Sequence, residues 1–262
     1  MTRIAVLQAQ AEPLSIDLNL AAVQRAAAEA KEAGAELLVT PELFVTGYAP
    51  ARIRAELGQE PVHAAEDALR RIAREQSISI VASLPGRETP EERGITALLI
   101  ADDGAVLARY QKVQLFGPEE KASFVAGEEP PAVVDHLGRR LGLLVCYDVE
   151  FPEMVRAAAA QSADLLLVPT ALAQEPAVQD ILLPARALES RVALAYANHC
   201  GTEDGLTFDG GSVVLDISGH PLAAAAAEPD LLIVDVPAPS EAGPEGPWYR
   251  QDRRAHLHRR WL

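Results

Sequence analysis

Apolar positions along this 262-residue chain follow two alternating rhythms. Short apolar runs predict strands over 4–10, 36–40, 78–84, 95–102, 105–112, 132–136, 140–146, 164–168, 192–198, 211–216, 222–225 and 230–236. Between them, helical spacing predicts helices over 18–33, near 50–57, and over 62–76, 152–161 and 177–190. Asp17 is placed to cap the first helix and Gly34 to stop it. Asp103-Gly104 and Ser218-Gly219 punctuate neighbouring runs as hairpin turns do. The alternation defines an α/β chain. On its own it fits a doubly wound single sheet as well as two sheets, each covered by helices on one face.

Three of these runs lead directly into a residue that can do chemistry. Leu141 to Glu153 reads LGLLVCYDVEFPE: an apolar strand, then Cys146, then Pro152-Glu153 as the first turn of a helix. Such an elbow can lift a side chain to the rim of a sheet, and a helix N-terminus favours the thiolate. Taken alone, a cysteine after an apolar run is more often a small buried hydrophobe. The strand ending at Thr40 runs straight into Pro41-Glu42-Leu43-Phe44 and then Thr46-Gly47-Tyr48. The strand ending near Tyr110 runs into Gln111-Lys112-Val113-Gln114-Leu115-Phe116. Lys112 is one of only three lysines, against twenty arginines, and unlike Lys31 and Lys121 it lies among apolar neighbours. An ammonium there is costly unless it has a partner or a task. Taken singly, Glu42 reads as a helix-start acid and Lys112 as a snorkelling surface residue.

Taken together and in this order, Pro-Glu-Leu-Phe with Thr-Gly-Tyr, Tyr-x-Lys-Val-x-Leu-Phe and Cys-Tyr-Asp-x-Glu-Phe-Pro-Glu resemble the three signature blocks of the nitrilase superfamily of carbon–nitrogen hydrolases. The likeness continues through Val168-Pro169-Thr170 and through Pro184-Ala185-Arg186-Ala187-Leu188-Glu189, which looks like the family's Ala-Arg-Ala-x-Glu helix. Ala197-Asn198 and Phe208-Asp209-Gly210-Gly211-Ser212 match later blocks, so the resemblance covers essentially the whole chain. It implies a four-layer α-β-β-α sandwich of two mixed sheets, nitrilase-like, as a single domain over 1–262. It also implies a homodimer or higher homo-oligomer, with the C-terminal tail, 245–262, able to cross to a partner subunit; against that stands the tail as a plain solvated basic end.

The resemblance assigns roles as well. Cys146 would attack an amide carbonyl and form a thioester, with Glu42 carrying the protons. Lys112 would stabilise the tetrahedral intermediate, with a backbone N–H just after Cys146. A second, positioning glutamate lies seven residues before a loop-closing glycine; counting back from Gly127 gives Glu120, with Glu119 as the alternative. Against that stands Pro118-Glu119-Glu120-Lys121 as a plain solvated turn. Substrate-contacting positions fall at Tyr48, Tyr147, Glu150, Thr170 and Ala171. Tyr147 follows the cysteine as in amidases, where nitrile-cleaving members tend to carry Trp. An acid at Glu150 would repel an anionic substrate and suit a small neutral aliphatic or cationic amide or an amino-acid amide; against that stands Glu150 turned away from the pocket into a structural ion pair. An ω-amidase, an N-carbamoyl amine hydrolase and an acyltransferase of the same fold remain alternatives. Gln114 stands where the family commonly has His, and the strand from Gly94 lacks the usual Tyr and Asn.

Composition narrows the classes further. The net charge of −15 and pI near 4.8 argue against nucleic-acid binding and against docking on anionic membranes. Arg250, Arg253, Arg254, Arg259 and Arg260 make the tail a basic exception. No apolar run approaches the roughly 20 residues needed to span a bilayer. The chain starts straight into a strand, so no leader peptide is expected. Two cysteines, one assigned to chemistry, fit a reducing cytoplasm. No cofactor or metal is expected; His256 and His258 lack a third ligand at a telling spacing.

Overall fold

Two six-stranded sheets lie face to face in a computed structural model that describes residues 1–173, 175–238 and 249–258. The first sheet comprises β1 (Thr2–Gln8), β2 (Leu37–Val39), β3 (Ser79–Pro85), β4 (Ile95–Ile100), β5 (Val106–Gln111) and β14 (Asp230–Val236), in the order β14-β1-β2-β3-β4-β5. The second comprises β6 (Val133–His136), β7 (Arg139–Leu143), β8 (Leu165–Pro169), β9 (Ala193–Ala197), β12 (Val213–Leu215) and β13 (Pro221–Ala224), in the order β13-β12-β9-β8-β7-β6. Each sheet is mixed. Parallel strands, β1-β2-β3 in one and β7-β8-β9 in the other, form the centre and antiparallel strands the flanks.

The two-residue side-chain period sorts the first sheet's residues between two cores. Ile4, Val6, Leu37, Val39 and Val81 join the core that also holds the second sheet. Ala5, Leu7, Leu38 and Ile80 face outward, onto Val23 and Ala27 of α1 (Ile16–Glu32) and Leu69 and Ile72 of α3 (Gln59–Gln76). Each such aliphatic side chain contributes about 1.5–3 kcal/mol when fully buried. The second sheet is covered on its outer face by α5 (Pro152–Ala160), packed beside α6 (Leu183–Ser190). A Cβ at Gly142 on β7 would lie 2.7 Å from a Leu166 methyl and 3.3 Å from the Ala163 methyl, so glycine lets this layer close. The four layers are therefore α-β-β-α, and the single-sheet alternative is excluded.

Several boundaries differ from the sequence expectation. Ser15, not Asp17, precedes the first helix; Asp17 sits in its first turn, where an acid also suits the dipole. Gly34 takes a φ of +82° just past the helix end, as a stop should. The predicted helix 177–190 opens with a π-helical turn, Val178–Leu182, before α6. Elements unforeseen in the sequence include α4 (Gly117–Ser123) and a hairpin of β10 (Cys200–Glu203) and β11 (Leu206–Asp209). Asp204 and Gly205, both at positive φ, form the hairpin turn, a local signal that was present in the sequence. The remaining helices are α2 (Pro50–Glu56), α7 (Tyr249–Asp252) and α8 (Ala255–His258). Of the basic tail, Arg259 and Arg260 lie outside the described residues, while Arg250 donates to the Ala159 carbonyl at the end of α5. None of the described helices is long and apolar enough to cross a membrane.

Candidate active site

Glu42 and Cys146 both stand just beyond the carboxyl end of a central parallel strand, β2 in one sheet and β7 in the other. The Glu42 N–H donates to the Thr170 carbonyl, 3.1 Å away beyond β8, and so ties the two sheets together at this point. Both elbows contain a non-glycine residue in the left-handed region, Leu43 at φ +52° and Cys146 itself at φ +46°. Such backbone costs about 1–3 kcal/mol each and persists only where the surroundings impose it. Cys146 opens a 3-10 turn, Cys146–Glu150, that leads into α5.

Lys112 completes the group from the end of β5. Its N–H donates to the Ile95 carbonyl and its carbonyl accepts from Gly127, each at 2.8 Å. A Cβ at Gly127 would lie 2.4 Å from the Gln111 carbonyl oxygen, so only glycine permits this crossing. The loop it closes carries α4, and α4 carries Glu120 inward while leaving Glu119 in solvent. That decides between the two glutamates, and it overturns the solvated-turn alternative.

The Lys112 Nζ donates to Glu42 Oε1 at 2.7 Å and to Glu120 Oε1 and Oε2 at 2.8 and 2.9 Å. Glu120 also accepts from the Tyr48 hydroxyl at 2.6 Å and from the Phe116 N–H at 2.8 Å. Glu42 and Lys112 are 0% exposed and Glu120 is 1% exposed. One cation thus faces two carboxylates away from water. Burial raises the Glu42 pKa to about 7, opposed by Lys112 and assisted by the Glu120 charge. Burial alone would strip the Lys112 proton, but Glu42, Cys146 and Glu120 outweigh it and hold the ammonium charged. Glu42 Oε2 has no hydrogen-bond partner among the described residues.

The thiol departs from the expectation of a helix-stabilised thiolate. Burial and the Glu42 charge push the Cys146 pKa well above its ordinary value, and Lys112 and the Ala171 N–H only partly offset them. At rest the sulfur is protonated, beside a carboxylate able to take that proton. At 6% exposure it is nearly enclosed.

Residues that local reasoning missed hold these groups in register. Asp148, two residues past the cysteine, accepts from the Tyr110 hydroxyl and from the N–H groups of Val113, Gln114 and Val145, at 2.8–3.2 Å. It thereby joins the lysine loop to the cysteine elbow. Asn198 exchanges bonds with both main-chain groups of Leu172 and donates to the Gly210 carbonyl, fixing the segment that carries Ala171. Of the expected substrate contacts, Tyr48 is taken up by Glu120, and the Thr170 hydroxyl donates to the Val168 carbonyl. Tyr147 stands edge-on between Phe116 and Phe151, with ring centroids 5.2 and 4.9 Å away. Glu150 is half-buried, its pKa raised by burial and by Glu175, while Arg186 holds its main-chain carbonyl.

These strand-end residues and the two-sheet frame define the class: the chain belongs to the carbon–nitrogen hydrolase family, whose pattern it matches over residues 3–242. Among solved structures it is similar to a crystal structure of an amidase from Nesterenkonia sp., at 59% identity and a TM-score of 0.95, covering 100% of this chain and 96% of that one. The same amidase with its Cys replaced by Ala, in complex with butyramide, aligns at 58% identity, with a TM-score of 0.95 and coverage of 100% and 97%. Another form, 58% identical at a TM-score of 0.95 and full coverage of both chains, shows acrylamide joined to the active-site cysteine by Michael addition. A hydrolase from the pqqF 5′ region of Pseudomonas protegens is 35% identical over 240 residues, which span 88% of this chain and 81% of that protein.

Proposed function

We propose that this chain is a cysteine-dependent amidase that hydrolyses small neutral carboxamides to the acid and ammonia. The single observation that carries it is the Lys112 ammonium held between Glu42 and Glu120, with the protonated Cys146 sulfur beside Glu42. Glu42, with a pKa near 7, is suited both to accept and to return a proton at neutral pH. As Cys146 Sγ forms its bond to the carbonyl carbon, Glu42 takes the thiol proton and the carbonyl electron pair moves to oxygen. Lys112 faces that developing charge; one N–H shared by the two Glu120 oxygens leaves another for the oxyanion. The carbon–nitrogen bond then breaks, Glu42 hands its proton to the leaving amine, and ammonia departs from a Cys146 thioester. Water attacks next, losing its proton to Glu42; the carbon–sulfur bond breaks, and the sulfur recovers its proton as the acid leaves.

Three features support the substrate class. The enclosed sulfur favours a small acyl group, and the apolar Phe116-Tyr147-Phe151 row favours an uncharged one. Glu150, with Glu175 close enough to raise its pKa, disfavours an anionic amide. The amidase from Nesterenkonia sp. with butyramide bound is consistent with that class. Free buried thiols at Cys146 and Cys200 support a reducing compartment such as the cytoplasm. Assembly as a homodimer rests on the family resemblance, and gel filtration with light scattering tests it.

A panel of acetamide, propionamide, longer ω-amides, a carbamoyl amine and matching nitriles, scored by ammonia release with no acyl acceptor added, tests the proposal. Release from the short neutral amides is expected. Turnover only in the presence of an amine acceptor makes the chain an acyltransferase, and preference for dicarboxylic ω-amides overturns the role of Glu150.

A further inference from the structure

At the main-chain carbonyl of Glu42 lies a second buried pair of titratable side chains. His199, which begins just after β9, presents Nε2 to the Glu42 main-chain carbonyl at 2.7 Å and Nδ1 to Glu203 Oε1 at 2.7 Å. Glu203 Oε1 also accepts from the Ala11 N–H at 2.7 Å, and its Oε2 accepts from the Tyr48 N–H at 3.1 Å. Both side chains are 0% exposed. A main-chain carbonyl can only accept, so Nε2 must carry a proton. Glu203 takes backbone N–H donors on both oxygens, which favours its carboxylate form and with it a proton on Nδ1 as well. We assign the ring as an imidazolium on that geometry, and the raised His199 pKa agrees: Glu203 and Glu42 overcome the effect of burial.

These bonds close a circuit. From the Glu42 carbonyl it passes through His199 and Glu203 to the Tyr48 N–H; from the Tyr48 hydroxyl it returns through Glu120 and Lys112 to the Glu42 carboxylate. The segment from Glu42 to Tyr48, with its left-handed Leu43, is thus gripped at both ends from outside. The rings of Phe44 and Phe208 enclose the imidazole, at centroid distances of 5.7 and 5.1 Å. We propose that His199 and Glu203 are positioning residues for Glu42: an ionised pair, supplied by the β10–β11 hairpin and its approach, that sets the aim of the proton-carrying carboxylate. The proposal rests on Glu42 being the proton carrier, and the test separates the two.

The readout is the rate at which Cys146 is alkylated by iodoacetamide, together with kcat and KM per titrated thiol. H199Q and E203Q are expected to lower kcat and the alkylation rate by about tenfold to a hundredfold, the scale of a misplaced catalytic group, with KM unchanged within about twofold. In the E42Q background, H199Q is expected to add nothing to the alkylation defect, because a positioning residue has nothing left to position. T202V, on the exposed edge of the same hairpin, is expected to behave as wild type. A further loss in the double variant, or an unchanged rate in H199Q and E203Q, overturns the proposal while leaving Glu42 in place. An unaffected E42Q instead overturns the role of Glu42. In the unsubstituted protein, 15N spectra of the histidine rings should show both His199 nitrogens protonated up to a higher pH than in an unperturbed histidine; a ring that is neutral at that pH contradicts the inference whatever the variants do.

Discussion

The elbows that carry Glu42 and Cys146 are built alike, and their electrostatics differ. Each follows a central parallel strand, each contains a left-handed non-glycine residue, and each is buried. Glu42 shares its cation with Glu120 and has its backbone fixed by His199 and Thr170. Among the described residues Cys146 makes no ion pair: burial and the Glu42 charge raise its pKa, and Lys112 and the Ala171 N–H only partly lower it. On the proposed mechanism the contrast is the means of thiol activation. The site does not store a thiolate, as a helix N-terminus alone would; it sets a thiol whose pKa is raised beside a carboxylate whose own pKa is raised to about 7.

The largest expected effect comes from breaking the cysteine side of the comparison. Cys146→Ala should reduce ammonia release to the level seen without enzyme while leaving the circular dichroism spectrum and melting temperature near wild type. On the other side, Glu42→Gln keeps the shape of the carboxylate and removes its proton transfer, so kcat should fall by about 10² to 10⁴. Steady-state rates within a factor of two of wild type would remove Glu42 from the mechanism.

Asp148 links the lysine loop to the cysteine elbow and is the place to uncouple them. Asp148→Ala strands buried N–H groups, each costing about 1–3 kcal/mol. Denaturant unfolding should therefore show a loss of several kcal/mol, and an unchanged midpoint would mean the link bears no stability.

The protonation state can be tested without substitution. Only ionised Glu42 can accept the thiol proton, and its pKa is raised by burial to about 7. Hence kcat/KM should rise with pH through about 7 and fall roughly tenfold per unit below it. A profile flat down to pH 5 would place the base elsewhere. Smallest of all is the effect of Glu150→Gln. Removing this half-buried acid should improve kcat/KM for a dicarboxylic ω-amide about fivefold to tenfold relative to propionamide, the scale of about 1 kcal/mol. No change in that ratio would turn Glu150 away from the substrate.

How much of this could be read from the chain depends on where each residue's partners lie. Glu42, Lys112 and Cys146 were legible because each ends an apolar strand inside a recognisable block. Glu120 was legible only through its spacing from Gly127, since its partners Lys112 and Tyr48 are set by tertiary approach. The same holds for Asp148: its tyrosine partner and two of its three amide partners lie on the segment around Lys112, far back in the chain. His199 and Glu203 were invisible, because the partner of His199 is a backbone carbonyl at Glu42, which has no sequence signature. The strand pattern gave most of the strands and the family resemblance gave the four layers, while the short α4, which buries only Glu120 and Ser123, was hidden. The state of the thiol was the reverse case: a local rule pointed to a thiolate, and burial, joined by the Glu42 charge, overrode it.

The most direct test of a neutral thiol activated by Glu42 is acid-quench mass spectrometry during propionamide turnover, with the Cys146 peptide mapped. The account predicts a propionyl group on Cys146 that builds up within the first turnover and disappears when substrate is exhausted. Ammonia release with no acylated Cys146, or with the acyl group on Cys200, would contradict it.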